Sequence, residues 1–215
     1  MAYYRRKGRK YYGKRKGYKK KTRARFPYRR FRQSADFHYF KQHAELPNVD
    51  VVAGTPKFFA NNFKMNDLTN VGSFDTLFDH YRIVAVKITY YPPFTVYNVG
   101  GATTLNAPEI YLVKDYDSSV PLTSVGQLDS YTHCKHRMFT RPVSMYLKPK
   151  VTMPVYNAGN NAFCNPTKSP WIDMANLDVI YYGVLGAITC SLTSNLPALT
   201  VRVTADYYIQ VKNVR

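Results

Sequence analysis

Few residues in this chain have the types and spacing that chemistry requires. His133-Cys134-Lys135-His136 puts two imidazoles and a thiol within four residues, the groups that ligate zinc or pair as nucleophile and base. On a strand, His133 and His136 would point to opposite faces, which hinders joint ligation of one metal. The plainer reading is ordinary polar residues in a loop or strand. Asp115 and Asp117 lie two apart, so they could share a strand face and hold a hard cation, although loop carboxylates are more commonly just solvated. Gly100-Gly101 is followed by no helix signal and reads as a turn, not a phosphate loop. Trp171, after Pro170, could stack on a base or pack at a loop base or subunit contact. There is no Walker loop, GxSxG, HExxH or paired-Cys motif. The sequence therefore points to no enzyme, no metal and no cofactor.

A different chemistry is concentrated at the start. Residues 1–32 hold 16 of the 31 Lys and Arg and none of the Asp, Glu or His. The cations are Arg5, Arg6, Lys7, Arg9, Lys10, Lys14, Arg15, Lys16, Lys19, Lys20, Lys21, Arg23, Arg25, Arg29, Arg30 and Arg32. Tyr3, Tyr4, Tyr11, Tyr12, Tyr18, Phe26, Tyr28 and Phe31 are interleaved with them. Lys and Arg that meet phosphates release condensed counterions, and aromatic faces stack on unpaired bases at about 1–3 kcal/mol each. Stacking needs bases that are not already paired, so the mixture favours single strands over duplex. Lys19-Lys20-Lys21 and Arg29-Arg30 also read as nuclear-import signals. The segment has no helical or strand period, and its like charges repel. Apolar burial cannot offset its ordering entropy, so it is expected to be disordered when free. Charge density drops near residues 33–36. The expected division is a basic arm over 1–34, for DNA binding and nuclear localisation, and a folded domain over 35–215.

That domain is close to neutral, with 15 basic and 13 acidic groups after residue 32. Aromatics form 15% of the chain, more than long disordered proteins carry, so a packed core is expected. Three cysteines, Cys134, Cys164 and Cys190, are an odd number with no CxxC, which argues against a disulfide framework and fits a reducing compartment. The start is not a secretory signal. The longest apolar run, 179–192, is 14 residues, too short to span a bilayer as a helix, and no membrane insertion is expected.

The periodicity is β. In 199–211, Leu199, Val201, Val203, Ala205, Tyr207, Ile209 and Val211 alternate with a largely polar set, so one sheet face is buried. In 81–91, Val84, Val86, Ile88 and Tyr90 share a face, and Pro92-Pro93 ends the strand. Residues 143–151 alternate too. Residues 179–192 are apolar on both faces, which suits a central strand or one buried at a subunit contact. Weaker strands are expected over 37–46, 58–65, 109–114 and 136–140. A short turn of helix fits 121–128, and no other helix is convincing. About eight strands with long links over 92–108, 116–131 and 152–178 favour an all-β, eight-stranded jelly-roll sandwich over a meander.

At this point the residues resemble a family. Phe78-Asp79-His80-Tyr81-Arg82-Ile83-Val84 through Tyr91-Pro92 is similar to the segment of circovirus and cyclovirus coat proteins in which an aromatic-Tyr-Arg-Ile stretch opens a long strand ending in Pro. Phe63-Lys64-Met65-Asn66-Asp67-Leu68 resembles the segment before it, and His136-Arg137 to Pro149-Lys150 the middle of those proteins. Val201-Arg202-Val203-Thr204 is similar to the opening of their last strand. Order and spacing carry the likeness, which covers most of 35–212; the arm matches in position and kind only, with more Lys and Tyr and less Arg. The resemblance implies a capsid protein of a circular single-stranded DNA virus. Sixty copies would form a closed T=1 icosahedral shell, with arms turned inward onto the genome and loops outward toward a host surface receptor or glycan. Nuclear import receptors would carry the protein into the host nucleus. Two rivals stay open on the residues alone: a cellular basic RNA- or ssDNA-binding protein of ribosomal type with a β-sandwich body, and a secreted lectin-like or heparin-binding sandwich.

Overall fold

Alternation along the last strand organises the molecule. Val201, Val203, Ala205, Tyr207, Ile209 and Val211 are all buried, while Arg202, Asp206, Tyr208 and Lys212 between them reach solvent. The computed structural model describes residues 37–52, 54–93, 108–157, 160–190 and 199–214. The chain divides into two units, Met1–Arg32 and Gln33–Arg215, and the fold described is that of the second.

In chain order the described strands are β1 (Phe37–Val51), β2 (Lys57–Phe63), β3 (Phe78–Tyr91), β4 (Glu109–Lys114), β5 (Lys135–Met138), β6 (Val143–Leu147), β7 (Met153–Asn157), β8 (Asn160–Cys164), β9 (Ile172–Asp173), β10 (Tyr181–Thr189) and β11 (Leu199–Val214). Two short helices, α1 (Val71–Leu77) and α2 (Val125–Asp129), join them. One antiparallel sheet runs β1-β11-β3-β6, with β9 beside β3; the other runs β2-β10-β4-β5. Among the strands of the two sheets, the chain switches sheets between β1 and β2, β2 and β3, β3 and β4, β5 and β6, β9 and β10, and β10 and β11. That is the eight-stranded jelly roll, and β7–β8 is a separate hairpin.

One hydrophobic cluster draws on both sheets: Leu46, Ile83, Ile88, Met145 and Val203 from the first, Phe59, Phe63, Ile110, Leu112 and Ile188 from the second. Rings meet across the layer, Phe59 with Tyr90 at 5.4 Å between centroids and Phe63 edge-on to Tyr207 at 5.8 Å. The buried tyrosines keep their polar ends satisfied, as burial demands. The Tyr90 hydroxyl donates to Asn61 Oδ1 at 2.7 Å, Tyr207 to Asp67 Oδ2 at 2.7 Å and Tyr81 to the Asn176 carbonyl at 2.8 Å. Burial pushes all three hydroxyls well above the usual tyrosine range. Gly186 allows close strand approach: a Cβ there would lie 2.5 Å from the Phe59 ring and 2.7 Å from the Tyr111 carbonyl oxygen.

Several expectations are corrected in detail. Tyr208 pairs with Ala85 and Ile209 with Ile83, so Val84 is a bulge residue without a partner. The bulge shifts the phase of β3. Tyr81 and Ile83 are buried before it and Val86, Ile88 and Tyr90 after it, while Val84 is only half-buried and does not share their face. The strand expected over 143–151 stops at Leu147, and Lys150 makes a lone bridge to Tyr182. The strand expected over 136–140 is Lys135–Met138. The link 152–178 contains β7, β8 and β9. The helix α1 is an addition: Asn70 offers it no side-chain cap, and the packing of Phe74 on Phe40 and Phe78 holds it. No helix among the described residues is long and apolar enough to cross a membrane.

Candidate nucleic-acid interface

All sixteen arm cations, Arg5 to Arg32, lie outside the described residues, as does Gly100-Gly101. The structure does place the outward face of the sheet whose first strand follows the arm in sequence. Alternation on β1, β11 and β3 presents Lys41, His43 and Glu45, then Arg202, Asp206, Tyr208 and Gln210, then Arg82, Lys87 and Tyr91. Charge pairs organise its centre. Asp206 receives Lys41 Nζ at 3.0 Å and His43 Nδ1 at 3.0 Å, and Arg202 meets Glu45. Partial burial alone would push the Asp206 carboxyl up, but the bonds from His43 and Lys41 outweigh it and hold the group below its ordinary value.

Trp171 sits at one end of this face. Phe37, the first residue of β1, stacks on it at 5.5 Å with 17° between planes. The Arg82 guanidinium lies 4.5 Å from the Trp171 ring centroid and Lys212 Nζ 5.0 Å. Arg82 is also fixed by donating from Nε to Gln210 Oε1 at 2.7 Å. Of the two roles open to Trp171, packing is the one seen: it clamps β1, β3 and β11 and orients two cations. The sequence offers no direct sign of this cluster, because positions 37, 82, 171 and 212 meet only through the sheet.

The small candidate sites remain ordinary. His136 stacks on Tyr111 at 4.1 Å between centroids and its Nε2 lies 3.3 Å from Glu109 Oε2. The Tyr111 hydroxyl donates to the same carboxylate at 2.8 Å, and burial, aided by that bond, pushes it up to about 12. Cys134 Sγ lies 3.9 Å from Asp129 Oδ1. Asp115 is buried and its Oδ1 accepts the backbone N–H of Asp117 at 3.1 Å, a local turn bond; the Asp115 side chain holds the Asp117 carboxyl above its usual value. Among the described residues, no group of three His, Cys, Asp or Glu is placed to hold a metal ion.

A two-sheet jelly roll preceded by a cationic segment is the form expected of a viral coat. A family model described as circovirus capsid protein matches residues 2–215. The chain belongs to the circovirus capsid protein family. This capsid protein is thus a structural component of a virion and not an enzyme, and the ribosomal-type and lectin-like readings fall away. No curated protein matches it in sequence. Solved structures agree on the fold. The 60-mer BFDV capsid protein superposes with a TM-score of 0.61 at 17% identity, covering 82% of this chain and 94% of that one. The decameric BFDV capsid protein gives 0.54 at 15% identity, over 82% and 99%. The Cucumber Necrosis Virus structure gives 0.50 at 14% identity, over 83% and 57%.

Proposed function

We propose that this capsid protein self-assembles into a closed T=1 shell of 60 subunits and packages a circular single-stranded DNA genome through its arm. The observation that carries the reading is the division of charge: 16 cations and no acid in residues 1–32, and a nearly neutral body after them. In this reading, residues 1–34 are the arm and 35–215 the tiling domain. Sixty such arms would supply on the order of a thousand positive charges, the scale needed to neutralise a small genome by counterion release. Closed symmetry ends assembly at a finite size; a relative of the same fold is described as a 60-mer. Lys19-Lys20-Lys21 and Arg29-Arg30 serve nuclear import through import receptors before the arm is buried. Loops of the assembled shell meet a host surface receptor or glycan for attachment and entry.

Deleting residues 1–32 tests the central claim. The truncated chain should keep a cooperative β fold by circular dichroism and lose most affinity for single-stranded oligonucleotides. Full affinity in the truncated chain at moderate salt would refute the arm's role. The intact protein's affinity should fall steeply with added salt, with a slope near 0.7 per phosphate contact. Negative-stain microscopy of the purified protein should show uniform small shells.

A further inference from the structure

Beside the Trp171 cluster, the body of the subunit holds a cavity of about 340 Å³, a size typical of small-ligand sites. Arg82, Lys148, Lys150 and Lys168 line it, with Thr167 and Ser169, against walls of Val84, Pro149, Val151 and Pro166. Among the described residues, no carboxylate lines it. The ion pairs among the described residues are made by Lys41, His43, Lys64, His136 and Arg202 with their acids, and none of the four lining cations takes part. Four like charges around one concavity repel one another, and apolar walls focus their field, so an anion there lowers the energy of the site.

Two of the cations are also held. Arg82 is fixed by Gln210 and by the Trp171 face. The Lys150 backbone exchanges hydrogen bonds with Tyr182, at 3.2 and 2.7 Å, and its Nζ lies 5.3 Å from the Tyr116 ring centroid. The Val84 bulge opens β3 at the same spot. Two such pre-positioned donors, with two further lysines and two hydroxyl side chains lining the same cavity, suit phosphate oxygens.

We propose that this cavity binds the phosphate backbone of single-stranded DNA on the folded body, as a station separate from the arm. The inference rests on the packaging reading above. A nucleic-acid ligand is favoured over a sulfated glycan by continuity: Arg82 joins the cavity to Trp171, Trp171 stacks on Phe37, and Phe37 follows the arm's last cation, Arg32, by five residues in sequence. A strand gripped by the arm is therefore tethered to the element that supports the cavity.

The test uses the full chain, freed of nucleic acid, with an oligo-dT carrying 5-bromodeoxyuridine. After irradiation, peptide mapping should find crosslinks in the arm and in the segment containing Trp171 or Tyr116. Crosslinks in the arm alone overturn the station and leave the packaging reading standing; crosslinks absent from the arm overturn the packaging reading itself. A second measurement uses Lys148→Gln/Lys150→Gln/Lys168→Gln in the full chain. It should reduce the salt slope of oligo-dT binding by about 2, three contacts at roughly 0.7 each. An unchanged slope in a variant with wild-type circular dichroism refutes the station. So does a variant that loses binding to a heparin oligosaccharide while keeping that to oligo-dT, since the cavity would then be a glycan site.

Discussion

The two sheets bury their inner faces against each other but treat their outer faces differently. On β2-β10-β4-β5, Leu185 and Ala187 from β10 and Tyr111 and Val113 from β4 form a second buried cluster with Leu128 of α2. Phe58, Ala60, Leu122, Val125 and Cys134 pack around it. Residues 115–134 thus roof this sheet with the chain's own side chains. On β1-β11-β3-β6 no such roof is seen among the described residues: Lys41, Glu45, Lys87, Tyr146 and Arg202 are exposed. The contrast explains why β10 is apolar on both faces. One side feeds the main core and the other feeds the roofed cluster, so its hydrophobicity is used within the chain and the alternative of a subunit contact is not needed. The open sheet keeps its charges available, and the cationic cavity lies along it.

The sharpest way to break this comparison is to place one charge on each outer face. Leu185→Asp puts an unpaired carboxylate under the roof and should cost about 4 kcal/mol or more, enough to unfold a marginal domain. Tyr146→Asp, at a side chain 53% exposed on the open sheet, should stay within about 1 kcal/mol. Chemical denaturation of both variants decides it; equal losses would mean that the two faces are not distinct.

A milder cut sharpens the roof itself. Leu128 is fully buried and anchors α2, whose N-terminus is capped by the Ser124 hydroxyl accepting from Gln127 N at 3.3 Å. Leu128→Ala should cost about 2–3 kcal/mol, the lower part of the range for such truncations, because the surrounding cluster is small and can relax. Hydrogen exchange should accelerate in residues 115–134 and in the outer edge of β4, and remain slow in β3 and β11. Acceleration spread evenly over both sheets would show that the roof and the main core open as one unit.

How far the sequence reached follows from where its signals were local. The 199–211 alternation located β11, and the 109–114 run has the same bounds as β4, because a half-buried strand writes its burial into period two. Of the long links, 92–108 does join the two sheets, from β3 to β4, whereas 116–131 joins β4 and β5 of the same sheet and 152–178 carries β7, β8 and β9 on its way from β6 to β10. What escaped was tertiary. The α1 segment contains Gly72, lacks a side-chain cap and exists because Phe74 has Phe40 and Phe78 to pack on. The Val84 bulge is set by pairing with β11, not by anything in its own neighbours. The arm's charge was fully legible and stands as the basis of the proposed function. The cationic cavity was not, since positions 82, 148, 150 and 168 converge only after β3, β6 and the link before β9 are in place.

The smallest expected effect concerns the open face's own electrostatics. Asp206 is held below its ordinary value of 3.8 by His43 and Lys41 acting against partial burial. A carboxyl lowered by folding stabilises the native state above its unfolded value, and that stabilisation is lost as pH falls through the lower folded value. The amount is under about 1 kcal/mol, because Lys41 is exposed and the pairs are screened by salt. Wild type should therefore exceed Asp206→Asn in denaturation midpoint near neutral pH, and the gap should close as pH falls well below 3.8. Added salt should narrow the same gap, whereas the Leu128→Ala deficit, being apolar, should not shrink with salt. A gap that ignores both pH and salt would show that Asp206 acts on this face through packing, and that the open sheet is held in the same way as the roofed one.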